Sequence, residues 1–82
     1  MSDEFYKAKG RLAALEQEYE VLESKAEALM TICRELLDPY KELLDLDLEK
    51  TFHMVQEFRE VQLKAREKKE MIDKIKSDYG WK

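Results

Sequence analysis

The sequence predicts an all-α protein, an antiparallel two-helix hairpin of the coiled-coil kind that dimerises into a four-helix bundle. Three observations lead there. From Phe5 to Leu43 apolar residues recur with alternating gaps of three and four: Phe5, Ala8, Leu12, Leu15, Tyr19, Leu22, Ala26, Leu29, Cys33, Leu36, Tyr40 and Leu43. That is more than five heptads, past the three or four that mark a coiled-coil seam. The same spacing resumes as Thr51, Met54, Phe58, Val61, Ala65, Lys68, Ile72, Ile75 and Tyr79, with Lys68 breaking the apolar rule. Finally, 41% of the residues are charged and there are only two glycines and one proline, the composition of long helices.

Taken in order, the first helix is expected over about residues 3–38. Ser2 can cap it, and Asp3 and Glu4 lie where the positive end of the helix dipole favours acids. Gly10 inside it costs about 1 kcal/mol relative to alanine, which a seam this long absorbs. Between Leu29 and Leu37 the apolar surface widens through Met30, Ile32 and Leu37, and a stripe that wide touches two neighbours rather than one. Asp38-Pro39 then breaks or kinks the helix, because proline disfavours a helical residue before it; Asp before Pro is also a helix-restart signal. From Tyr40 to Leu48 the pattern loses phase, with Leu43, Leu44, Leu46 and Leu48 fitting neither helix cleanly, so a turn over about 39–47, with room for one short helical turn, is expected there. Asp45 and Asp47 are both possible caps for a second helix over about 47–79. Gly80 suits the left-handed residue after a helix end, with Trp81 packing back on Ile75.

The pairing of the two seams is predicted from size and charge. One register opposes Phe5 to Tyr79, Leu12 to Ile72, Leu15 to Lys68, Tyr19 to Ala65, Ala26 to Phe58 and Leu29 to Met54, matching small residues with large ones as a filled core requires. It also sets the acidic run Glu16, Glu18, Glu20, Glu23 and Glu27 opposite Arg59, Lys64, Arg66 and Lys68. A register seven shorter, with a tight turn at Asp38-Pro39, loses that match of sign, and sign along a whole helix pair sets register even where single exposed pairs contribute little.

Eighty-two residues make one small domain, spanning 1–82, and a chain this short has difficulty burying enough core alone. Apolar residues outside the seam gather near the turn, so a second copy or another helical protein is expected to cover them. The contact surface is assigned to Met30, Ile32, Leu37, Phe52 and Val55. A net charge of −4, a single cysteine, no apolar run near the roughly 18 residues of a membrane span and no signal-like N-terminus point to a cytoplasmic protein with no membrane contact.

Catalytic chemistry finds little support. The two glycines are isolated, so there is no phosphate loop, and the only histidine, His53, has no serine or cysteine motif around it. Glu49, His53 and Glu57 share one helix face at four-residue spacing, a pattern that ordinary helix-stabilising contacts explain without a metal. Cys33 occupies a seam position, where a free cysteine behaves as a small hydrophobe. No catalytic, cofactor or metal residue is assigned. The expected function is a non-enzymatic protein-interaction or assembly module of the adaptor, small-chaperone or scaffold type, with the protein itself or another helical protein as partner. The alternative is a nucleic-acid accessory protein using Lys64, Arg66, Lys69, Lys74 and Lys76; Glu67, Glu70 and Asp73 interrupt that cluster and weaken its pull on phosphates. The outline resembles several small helical-hairpin groups, one of them secreted and marked by a Trp-x-Gly turn. That turn is missing here, so the resemblance assigns no residue a role.

Overall fold

A computed structural model describes residues 2–81. Two helices, α1 (Ser2–Leu36) and α2 (Leu48–Tyr79), pack against each other as a hairpin, and the described residues contain no strand. Helices of 35 and 32 residues extend about 50 Å at 1.5 Å per residue, and with the loop the molecule is a rod of 64 × 16 × 14 Å. Against the expected bounds, α1 stops two residues early and α2 starts one late. The capping role expected of the Ser2 hydroxyl lies outside the described side chains.

The seam is visible in burial. Every predicted seam position of α1 from Phe5 to Leu36 is buried or half-buried, and so is every one of α2 from Thr51 to Ile75. Tyr40 and Leu43 continue the spacing in sequence but are exposed, because the helix that would carry them inward has already ended. The apolar core is thin: among the described residues only Leu15, Leu29, Val61 and Ile72 are buried apolar side chains. Thr51, the one buried polar residue among those described, donates its hydroxyl to the Asp47 carbonyl at 2.7 Å, so its burial leaves no unmet hydrogen bond.

Register is read from contacts across the seam. The Phe5 and Tyr79 rings meet edge to face at 6.5 Å between centroids, and Tyr19 shares a groove with Ala65. Lys68, the lone cation of the seam, reaches Glu18 at 2.9 Å. These are contacts of the longer register. The expected match of charge along the whole length, however, yields this one interhelical ion pair among the described residues; the other pair, Lys69–Asp73 at 3.7 Å, lies within α2. The remaining charges are on long, solvated side chains, where a held pair gains little, so local packing of the seam carries the register.

Local chemistry explains the ends. Asp38-Pro39 breaks the chain outright and does not restart a helix. The Asp38 carboxylate accepts the Tyr40 N–H at 2.9 Å and its carbonyl accepts the Lys41 N–H at 3.1 Å, a turn with proline at its favoured second position. A single 3-10 turn, Leu43–Asp45, follows. Of the two candidate caps, Asp47 serves: its side chain accepts the Lys50 N–H at 3.0 Å. At the far end Gly80 adopts the left-handed conformation (φ 70°) and the Trp81 N–H reaches back to the Lys76 carbonyl at 2.7 Å, the paired bonds of a Schellman cap. The Trp81 ring stacks on Tyr79 (4.8 Å between centroids) and meets Phe5 edge-on (5.5 Å), so the cap also clasps the start of α1.

Candidate interaction surface

Two long flanks border the seam. Writing the seam as heptad positions a and d, the residue before each a is g and the residue after each d is e. Glu18, Val21, Lys64 and Glu67 line one groove, and Arg11 and Asp78 line another along the same side, so the g flanks of the two helices lie together. Val55, Arg59 and Gln62 border the opposite side, as do Arg66 and Lys69 further along; this is the e flank of α2. Glu16, Glu23, Met30 and Leu37 form the e flank of α1 by the same spacing.

All five residues assigned to the contact surface are exposed, and the helix positions divide them. Met30, Leu37 and Val55 are e positions and Phe52 lies beside them. Ile32 comes two heptads after Glu18 and therefore lies on the g side, about 200° around the helix from Met30. Leu48 joins the e-side group and is exposed as well. The loop adds what sequence periodicity missed. Tyr40 and Leu44 are each 94% exposed, and Leu43 is exposed beside them. Leu44 was signalled by its loss of phase, since a leucine that fits no seam has no helix to bury it; Tyr40 and Leu43 keep the spacing and gave no such signal. One end of the rod thus exposes large apolar side chains on its e side and at its tip, among the charged Arg34, Lys41, Glu42 and Asp45, while the other end carries the packed Phe5, Tyr79 and Trp81 rings.

The residues considered for chemistry do not converge. Among the described residues no group of three or more His, Cys, Asp or Glu side chains is placed to hold a metal ion. The His53 ring instead meets the Phe52 ring edge-on at 6.1 Å. Cys33 is free and half-buried in the seam. The five cations Lys64, Arg66, Lys69, Lys74 and Lys76 fall at g, b, e, c and e, which distributes them around the helix. Lys64 shares its groove with Glu18 and Glu67, Arg66 is beside Glu70, and Lys69 pairs with Asp73. Positive charge so interleaved does not form a continuous track for a phosphate backbone. No helix among the described residues is long and apolar enough to cross a membrane. No family model, curated protein or solved structure matches the chain.

Proposed function

We propose that this protein is a non-enzymatic interaction or assembly module, a coiled-coil hairpin that works by docking its loop end on another helical surface, with a second copy as the first partner. The observation that carries this reading is the exposed apolar group at that end: Met30, Leu37, Leu48, Phe52 and Val55, continued by Tyr40, Leu43 and Leu44 at the tip. A concentration of exposed large apolar side chains at one end, set among charged residues, is an ordinary mark of a protein-protein contact. The thin core supports it, since a hairpin with four buried apolar side chains among its described residues gains stability from a further layer of helices. A four-helix bundle is the assembly that two hairpins make when each covers the other's face. The lone free Cys33 fits a cytoplasmic setting.

The test is self-association. Sedimentation equilibrium at micromolar concentration should show a dimer, and the melting temperature should rise with concentration because dissociation and unfolding are linked. A monomer with a concentration-independent transition refutes self-assembly.

A further inference from the structure

We infer that the second copy docks on the e flank in parallel, related by a two-fold axis along the rod so that the two loops lie side by side. This rests on the assembly reading above and adds to it the face, the orientation and the residue pairs.

The argument begins with charge. On the e side of α1 the residues running away from the loop are Leu37, Arg34, Met30, Glu27, Glu23, Glu20, Glu16 and Ala13, then Lys9 and Tyr6. On the same side of α2 they are Leu48, Phe52, Val55, Arg59, Gln62, Arg66 and Lys69, then Asp73 and Lys76. Arg34 apart, each helix therefore changes from apolar to charged at the same height, and beyond that point α1 is mainly acidic and α2 mainly basic. A two-fold axis along the rod puts α1 of one copy against α2 of the other at equal height. Residues whose numbers add to about 84, as Phe5 and Tyr79 do within the chain, then also meet between copies. Met30 faces Phe52 and Val55, Leu37 faces Leu48, Glu23 faces Arg59, Glu16 faces Arg66 and Lys69, and Lys9 lies between Asp73 and Lys76. The tip residues Tyr40, Leu43 and Leu44 of both copies come to one place.

The competing two-fold axis, across the rod, fails on both counts. It puts α1 against α1 reversed about Tyr19, so the glutamates meet glutamates and Met30 meets Lys9. Sliding the copies until only the loop ends overlap brings the apolar groups together but gives up most of the contact. A 64 × 16 Å face offers about 1,000 Å² in projection, whereas a standard interface buries about 800 Å² per partner, so most of the face is needed. The g flank is a poorer choice along either axis. Its apolar members Val21, Ile32 and Met71 are scattered, so although an axis along the rod would set Glu18 against Lys64 and Lys25 against Glu57, there is no apolar block to bury, and Glu4 would meet Asp78.

Two experiments test the inference. In the first, chains carrying Glu23→Arg are mixed with chains carrying Arg59→Glu. Within either variant the 23/59 contact is between like charges, so neither gains from folding. In a mixed dimer every 23/59 contact between copies is between opposite charges. The expected result is heterodimer well above the statistical half, shifting toward half as salt is raised. In the second, in a Cys33→Ala background checked for helicity by circular dichroism, a Met30→Cys chain is oxidised with a Phe52→Cys chain or with a Lys9→Cys chain of different mass. The first mixture should crosslink and the second should not. A dimer with a statistical mixture of charge variants, or with Met30→Cys joined to Lys9→Cys, overturns the orientation and leaves self-assembly standing. A monomeric wild type overturns both.

Discussion

Replacing Phe52 and Val55 together by glutamate is the perturbation that weighs most on this interpretation. In the hairpin Phe52 is 61% exposed and Val55 48% exposed, so roughly half or more of each side chain remains to be buried by a partner. Full burial of such a side chain contributes about 1.5–3 kcal/mol, which puts the remaining share near 2.5 kcal/mol per chain and near 5 kcal/mol for a symmetric dimer. At 1.4 kcal/mol per decade the dissociation constant should rise by roughly a thousandfold or more, and the introduced carboxylates add desolvation cost in the same direction. Ile32→Glu, on the g flank, should move it by no more than a few-fold, although Ile32 is also exposed and close in sequence to Met30. Sedimentation equilibrium over about 1–100 μM reads both, with circular dichroism to confirm that each variant remains helical. Dissociation by Ile32→Glu with the double variant unaffected would refute the assignment of the e flank. Equal, small effects of both would show that the exposed apolar residues contribute nothing to association.

The register is checked by Tyr19→Cys with Ala65→Cys in a Cys33→Ala background, which should oxidise to an intrachain disulfide; preferential crosslinking of Tyr19→Cys to Phe58→Cys would indicate the shorter register. The two glycines should respond with opposite sign in thermal melts. Gly10→Ala places a Cβ in open space on a helix and should stabilise by about 1 kcal/mol, whereas Gly80→Ala forces an L side chain into the left-handed region and should cost about 1 kcal/mol. Both changes carrying the same sign would contradict the cap geometry. Titration with a mixed duplex and a single-stranded oligonucleotide at low salt should show only a weak, salt-sensitive background; submicromolar affinity that weakens steeply with salt would favour the basic-cluster alternative.

Helical periodicity alone was enough to identify both helices, their seam and, with size matching, the register. Burial in a two-helix pair follows angular position around each helix, and angular position is arithmetic on residue number. Asp38-Pro39 and Asp47 marked the break and the restart because proline and a capping carboxylate act within three or four residues, a range the chain itself displays. Other features depended on where the chain goes next. Tyr40 and Leu43 match the seam in spacing, yet the turn around Asp38 removes the helix that would have buried them, and they become surface. Ile32 and Met30 are two residues apart in sequence, but two helix-backed flanks separate them, and which flank meets which is settled only when α2 folds back. Trp81 was legible as a cap and not as a clasp on Phe5, since that contact joins opposite ends of the chain. The charges show the same division. Their signs predict which helices attract, while the single Lys68–Glu18 pair among so many candidates depends on side-chain reach and solvation, which the folded geometry alone determines.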